Sequence, residues 1–201
     1  TLGYVGTEEI EAFINYRDGV LKNEYEGTES GDLYDRVIKE VSTFLKAHKE
    51  IKRVLNFGVC YAHVDAELAK QFPDVEFHGV DRSPFTKLLN ENEFGELPNL
   101  KFHCGDGFSV LQNGNFDMLI HIRTAVVLSK PLVDRLYGTA RSSGVQYVVG
   151  YEQFGFSYQT MEPYVFSTQD KDSVWWRGFM FVHNYPGLLM KNGYDISKYD
   201  F

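Results

Sequence analysis

The sequence has few of the features that mark a metal site or a membrane segment. Its only two cysteines are Cys60 and Cys104, no C-x-x-C occurs, and the six histidines are scattered, so no metal-ligand spacing is present. No stretch approaches the roughly 20 apolar residues of a membrane span, and no basic stretch followed by an apolar block opens the chain. We therefore expect a cytoplasmic protein that has no signal peptide, no membrane segment and no metal.

Positive charge is also scarce. The chain carries 20 Lys and Arg against 28 Asp and Glu, a formal net charge of −8. Binding to nucleic acid requires a clustered excess of basic residues, so a small-molecule partner is the better expectation. The length of 201 residues and the 43% hydrophobic content fit a single domain. The oligomeric state stays open, and a homo-oligomer is compatible with the sequence.

Apolar runs alternate with amphipathic stretches along most of the chain, as is typical of an α/β fold. The five clearest runs, each predicted to be a strand, cover residues 54–57, 75–80, 100–104, 116–122 and 145–150. Helices are predicted at 62–72, from Pro84 and from Pro131. Two further amphipathic helices are predicted before the first strand, one beginning at Thr7 and one at Asp32.

The first strand ends in the turn Gly58-Val59-Cys60-Tyr61-Ala62, and the second strand closes on Asp81. A helix that starts after a glycine turn offers free backbone N–H groups, and an acid that ends the next strand can accept hydrogen bonds from ribose hydroxyls. This order predicts a ligand that contains adenosine. The dinucleotide pattern G-x-G-x-x-G would place Cys60 and His63 where small residues are needed, which argues against NAD or FAD.

As G-x-G-x-G, the same turn has small residues at Gly58, Cys60 and Ala62, and this spacing resembles the S-adenosylmethionine (SAM) loop of the class I methyltransferases. Asn56 stands where that family usually carries an acid that helps to hold the amino group of the cofactor. The resemblance implies SAM as the cofactor, with contacts from a set of residues near the strand ends: Gly58, Cys60, Tyr61, Ala62, Asp81, Arg82, Asp106, Gly107, Phe108 and His121.

The resemblance also implies the overall fold class. We expect a doubly wound α/β domain with a seven-stranded, mostly parallel sheet and a terminal antiparallel strand, preceded by two N-terminal helices. In this scheme residues 1–50 form a helical lid or cover, and residues 51–201 form a Rossmann-like core. After a short helix near Pro186, residues 194–199 would be the last strand, paired with residues 180–184.

Asp106 and Phe108 follow the third strand. In the resembled family an acid at this position accepts a hydrogen bond from the adenine amino group, and a neighbouring apolar side chain packs on the ring. A turn built on Gly105-Asp106-Gly107 explains the local sequence equally well.

The candidate catalytic residues lie at the ends of the fourth and fifth strands. Ligands of open α/β sheets bind beyond the carboxyl ends of the strands, where the strand order reverses. His121 is the first candidate for the base that takes a proton from an acceptor, and Glu152 is the second. A buried, hydrogen-bonded role explains His121 as well. Arg123 would bind an acidic acceptor or pair with a surface carboxylate.

Aromatic residues are concentrated near the carboxyl end. Residues 151–185 contain 11 of the 31 aromatic residues, where an even distribution would give about 5. Some of these must be core, and Phe154, Tyr158, Trp175 and Trp176 are the candidates for the wall of an acceptor pocket.

The predicted function is the SAM-dependent methylation of a small molecule, at oxygen. Two alternatives remain from the sequence. One is an NAD(P)-dependent oxidoreductase, and the other is a degenerate methyltransferase fold that binds a nucleoside or a partner without catalysis. The two cysteines are expected to stay unpaired, because two strand spacings of roughly 9.6 Å in total would separate them.

Overall fold

The computed structural model describes residues 30–152, 173–177 and 180–198. The helix predicted from Thr7, and Phe154 and Tyr158 of the predicted acceptor pocket, lie outside the described residues.

Five parallel strands form the centre of the structure. Their bounds follow in chain order: β1 Arg53–Phe57, β2 Glu76–Asp81, β3 Leu100–Cys104, β4 Met118–Ile122 and β5 Tyr147–Tyr151. They lie in the order β3-β2-β1-β4-β5, and all four neighbouring pairs are parallel. The strand order reverses between β1 and β4, so the crevice of this doubly wound sheet opens beyond their carboxyl ends.

Six helices of the described chain surround the strands. They are α1 Ser30–Ala47, α2 His63–Gln71, α3 Pro84–Phe94, α4 Gly107–Asn113, α5 Lys130–Ser142 and α6 Tyr185–Lys191. A short 3-10 helix, Ala125–Val127, follows β4. Helix α1 confirms the second predicted helix, which begins two residues earlier than expected. Helix α4 is not among the predicted helices, and its N-cap is Asp106, whose side chain accepts from the Phe108 N–H.

Both faces of the sheet are buried, and neighbouring residues of a strand point to opposite faces. Val54 packs with α1 and α2, whereas Leu55 packs with α4, α5 and α6. The same alternation holds in β4, where Ile120 joins the first core cluster and Leu119 the second. The two faces therefore have separate cores. A polar residue at a strand end points to one face or the other, according to its position in the alternation.

The predicted seven-stranded sheet is not confirmed. The two remaining strands in the described chain, β6 Ser173–Arg177 and β7 Met180–His183, form an antiparallel sheet of their own. The predicted pairing of residues 180–184 with residues 194–199 is wrong, because 194–198 form no strand and β7 pairs with β6 instead.

Hydrogen bonds of Tyr194 explain this difference. Its backbone N–H donates to the Leu189 carbonyl in α6, and its buried hydroxyl donates to the Val145 carbonyl at 3.0 Å. The segment is thus held against α6 and the entry to β5.

Candidate functional site

The turn after β1 fits tightly against the end of β4. Gly58 has a φ of +78°, and a Cβ at this position would lie 2.4 Å from the Thr124 Cγ2. The Gly58 and Val59 N–H groups both donate to the Val80 carbonyl, at 2.9 and 3.0 Å. Glycine at position 58 is therefore required by backbone conformation and by space.

A buried side chain of α3 fixes the rest of the turn. The Asn90 amide donates to the Cys60 carbonyl at 2.7 Å, and its Oδ1 accepts from the Ala62 N–H at 3.1 Å. Asn90 is not among the predicted site residues. The sequence shows only that Thr86 and Asn90 are polar residues one helical turn apart, and their burial is seen only in the structure.

Asp81 lies at the end of β2, directly beside the turn. Its Oδ2 accepts from the Cys60 N–H at 3.2 Å and its Oδ1 from the Ser83 N–H at 2.9 Å. A carboxylate has about four lone-pair positions, so both oxygens retain capacity for a ligand donor. The neighbouring Arg82 is exposed, and Tyr61 donates through its hydroxyl to Glu93.

A small cleft, with a cavity volume of about 40 Å³, lies at this point of the sheet. The turn and the strand ends contribute Asn56, Gly58, Val59, Cys60, Tyr61 and Ile122 to its lining. The two helices of the first face contribute Tyr34, Val64 and Asp65. The structure therefore brings Gly58, Cys60 and Tyr61 of the predicted cofactor residues into one cleft.

Asn56 and Asp65 form the polar floor of this cleft. Asn56 Nδ2 donates to Asp65 Oδ2 at 2.7 Å, and the two residues are 3% and 2% exposed. Burial raises the pKa of the Asp65 carboxyl to about 7, although hydrogen bonds from Asn56 and from the helix backbone lower it. The Oδ1 of Asn56 accepts no hydrogen bond from the described part of the chain. Asp65 is not among the predicted site residues.

Asp106, Gly107 and Phe108 lie at the start of α4. Asp106 is exposed, and its carboxylate accepts from the Phe108 N–H at 3.2 Å and from the Ser109 hydroxyl at 2.9 Å. The ring of Phe108 is mostly buried, against Phe57 and under the Arg135 guanidinium at 4.1 Å. Asp106 thus caps a helix, and its predicted contact with adenine stays a prediction.

His121 and Glu152 form a buried pair on the opposite face of the sheet from Asn56. The His121 Nδ1 lies 2.8 Å from Glu152 Oε1, and the two side chains are 1% and 3% exposed. The ring of His121 also fills the space beside Gly150, where a Cβ would lie 2.6 Å from the His121 Cε1. The two predicted catalytic residues are therefore in contact with each other and shielded from solvent.

Both members of this pair have further partners. Glu152 accepts from three consecutive backbone N–H groups, those of Thr124, Ala125 and Val126, at 2.8–3.1 Å. His121 Nε2 lies 3.1 Å from the Tyr137 hydroxyl. Burial raises the pKa of Tyr137 above its usual range, and the charge of Glu152 adds to this, so the hydroxyl donates to Nε2 and the Nδ1–H donates to Glu152.

The remaining predicted residues lie around the end of β4. Arg123 is exposed, has a φ of +52°, and donates its N–H to the Tyr151 carbonyl at 2.8 Å. Cys60 is a second non-glycine residue with a positive φ, +49°, so both sides of the crevice hold backbone that costs free energy to maintain. Trp175 and Trp176 belong to β6, for which only the backbone is described.

Two features of the described residues bear on other expectations. No group of three or more His, Cys, Asp or Glu within ranges 30–152, 173–177 and 180–198 is arranged to hold a metal ion. In the same ranges no helix is both long and apolar enough to span a bilayer. Neither cysteine forms a disulfide, and β2 lies between β1, which precedes the turn with Cys60, and β3, which ends in Cys104, as expected.

Comparison with known proteins gives structural relatives only. No family model and no curated protein matches the sequence. Among solved structures, the chain is similar to the bifunctional kinase-methyltransferase WbdD, with a TM-score of 0.51, 17% identity, and coverage of 68% of this chain and 32% of WbdD. It is also similar to the S-adenosylmethionine-dependent methyltransferase SibL, with a TM-score of 0.51, 15% identity, and coverage of 72% of this chain and 45% of SibL.

The chain thus spans less than half the length of either protein, and at these identities the similarity concerns the fold. Parallel strands in the order β3-β2-β1-β4-β5, a glycine turn after β1 and an acid at the end of β2 agree with it. The chain has the fold of the class I SAM-dependent methyltransferases.

Proposed function

We propose that this chain is a SAM-dependent methyltransferase that methylates a small molecule at oxygen. The observation that supports this most is the cleft beside β1 and β4. Its floor holds the buried Asn56 Oδ1, which has no donor from the described residues, and its rim lies beside the Asp81 carboxylate. A cleft with unsatisfied polar atoms at the switch point of an α/β sheet is where a ligand is expected.

The residues present fit the cofactor. The Asp81 carboxylate would accept from ribose hydroxyls, because its two contacts to backbone N–H groups position it and leave lone pairs available. The turn from Gly58 to Ala62 would lie along the methionine part, and Asp106 with Phe108 would face the adenine. The bound cofactor supplies a methyl group on a positively charged sulfur.

The chain itself has to orient the acceptor and provide for its proton. His121 remains the first candidate for the base and Glu152 the second. In the tautomer that these contacts favour, the His121 Nε2 accepts the hydrogen bond of the Tyr137 hydroxyl, so it is not available to an acceptor. A proton would therefore reach His121 either after Tyr137 moves away or through the Tyr137 hydroxyl, with Glu152 stabilising the imidazolium that forms.

The same burial favours a second candidate function, namely a methyltransferase fold that binds its ligand without turnover. His121 and Glu152 make enough contacts with the chain itself to account for their presence. In that case the pair stabilises the 3-10 helix after β4, and no base serves the cleft.

A transfer assay distinguishes the two. The purified protein is incubated with methyl-labelled SAM and a panel of phenols, alcohols and carboxylic acids, and label in the acceptor is counted. The proposal predicts transfer to at least one oxygen acceptor. It also predicts that His121→Ala lowers turnover by roughly 10²–10⁴-fold with a much smaller change in SAM affinity. SAM binding without transfer to any member of the panel would support the binding fold instead.

Tyr137→Phe sharpens the test of the base. This variant keeps the ring and removes the hydroxyl that occupies His121 Nε2. A loss of turnover as large as that of His121→Ala would show that the proton passes through Tyr137. Unchanged turnover would show that it does not.

A further inference from the structure

The floor of the cleft holds a carboxyl group with no cationic side chain among the described residues that line the cleft. Asp65 is almost fully buried, and no Lys, Arg or His occurs among the described residues that line the cleft. Burying a carboxylate is costly unless a positive partner or several donors compensate for it. The Asp65 carboxyl accepts hydrogen bonds from the Asn56 amide and the helix backbone. Its pKa of about 7 indicates that these donors compensate for burial only in part.

Asn56 adds a second unsatisfied acceptor at the same place. Its Nδ2 is used on Asp65, and its buried Oδ1 has no donor within the described chain. The Asn56 carbonyl oxygen and the Asp65 carboxyl thus lie side by side in one cleft. The chemical complement of such a pair is a compact cation with several N–H donors, which describes a primary ammonium. An anion such as phosphate would be repelled.

We propose that Asp65, together with Asn56, binds the ammonium group at the amino-acid end of the cofactor. The inference rests on the proposed function. Asn56 provides a neutral oxygen where the resembled family usually carries an acid at the end of the first strand. The negative charge comes instead from Asp65, in the first turn of α2, nine residues further along the chain.

A proton should leave the protein when the ammonium binds. A positive charge next to a carboxyl favours the ionised form, so the bound complex holds Asp65 ionised at pH values where the empty cleft holds it largely protonated. Among the described residues that line the cleft, the other titratable groups are Tyr34 from α1 and Cys60 and Tyr61 from the turn, none of which can carry a positive charge. Affinity should therefore rise as the pH increases from about 5.5 to about 8.

The test is calorimetric titration with S-adenosylhomocysteine at pH 6 in two buffers of different ionisation enthalpy, which measures the protons released. We expect release approaching one proton for the wild type and none for Asp65→Asn. The variant should also bind about tenfold or more weakly at pH 8, without a pH dependence. Asp74→Asn, which changes an exposed acid, should behave as the wild type does. The matched ligand 5′-methylthioadenosine, which has no ammonium, should release no proton.

Each outcome has a distinct meaning. Unchanged affinity and proton release in Asp65→Asn would overturn this inference and leave the proposed function standing. Equal proton release with 5′-methylthioadenosine would also overturn it, and this arm needs only the wild-type protein, so a variant that failed to fold would not block the test. No binding of S-adenosylhomocysteine by the wild type at any of these pH values would overturn the proposed function as well.

Discussion

The two faces of the sheet differ in how far the hydrogen-bonding capacity of their buried polar groups is satisfied. On the face of α1 and α2, Asn56 and Asp65 line an open cleft, and the Asn56 Oδ1 lacks a donor from the described chain. On the face of α4, α5 and α6, the His121–Glu152 pair is closed off, and its oxygens and nitrogens have partners. Unsatisfied polar atoms in a cleft indicate where a ligand can compensate, whereas a satisfied buried network rigidifies a fold.

The two regions are nevertheless joined at one residue. The Thr124 N–H donates to Glu152, and the Thr124 hydroxyl lies 3.2 Å from the Gly58 carbonyl in the turn after β1. The His121–Glu152 network therefore holds Thr124 in place, and Thr124 in turn contacts the turn that lines the cleft. Changes on the closed face should act on stability and, at His121, on turnover, with little effect on ligand affinity. Changes on the open face should act mainly on ligand affinity.

The largest expected effect is that of Glu152→Ala on stability. Removal of the carboxylate leaves three backbone N–H groups and the His121 Nδ1–H buried without an acceptor. Breaking such a pair costs roughly 3–5 kcal/mol, which urea unfolding would show as a lower midpoint. Glu67→Ala, which removes an exposed i,i+3 pair with Lys70, should change the midpoint little. If Glu152→Ala lowered the urea midpoint as little as Glu67→Ala does, the His121–Glu152 network would not be important for stability and the contrast between the two faces would be wrong.

Gly58→Ala tests whether the turn belongs to the open face. The left-handed conformation should cost about 1–2 kcal/mol and the overlap with Thr124 about 1–3 kcal/mol more, with a loss of ligand affinity. Gly144→Ala is the matched control, since Gly144 has a φ of +86° and nothing within 4 Å of its added Cβ. The control should lose stability through backbone strain alone and keep full affinity for S-adenosylhomocysteine. Equal affinity in both variants would place the ligand elsewhere.

Asp81→Ala should reduce affinity more than stability. Hydrogen bonds to a charged group contribute roughly 1.5–3 kcal/mol, so S-adenosylhomocysteine should bind ten- to a hundred-fold more weakly. The exposed Asp74→Ala serves as the control, and Asp81→Asn, which keeps one acceptor for the backbone, separates loss of charge from loss of the turn. Affinity that is unaffected by Asp81→Ala would remove the ribose assignment at the end of β2.

The smallest expected effect is a change in the rate of alkylation of Cys60. This residue is partly exposed and lines the cleft, whereas Cys104 is exposed at the end of β3. S-adenosylhomocysteine at ten times its Kd should slow the labelling of Cys60 about tenfold, because only the unliganded protein reacts. Cys104 provides an internal control in the same mass spectrum. If both cysteines react at unchanged rates with ligand present, the turn is not in contact with it.

The sequence predicts the parallel sheet well because its strands are continuous apolar runs bounded by turn residues. Gly58 and Asp81 were recognisable for the same reason, as each directly follows or ends a strand. The pairing of Asn56 with Asp65 could not be predicted, since it depends on the way α2 lies on β1. The sequence does not predict that β7 pairs with β6, because the apolar alternation in 180–184 fits either residues 194–199 or β6 as the partner strand. The burial of His121 depends on Tyr137 and Glu152, which are distant in sequence.

The central claim is that the open face is a site for the SAM family of ligands, and calorimetric titration of the wild-type protein tests it most directly. S-adenosylhomocysteine and NAD are titrated separately under the same conditions, with Gly58→Ala measured beside the wild type. The account predicts one site for S-adenosylhomocysteine in the wild type, weakened in Gly58→Ala, and no heat of binding with NAD. Binding of NAD without binding of S-adenosylhomocysteine would contradict it.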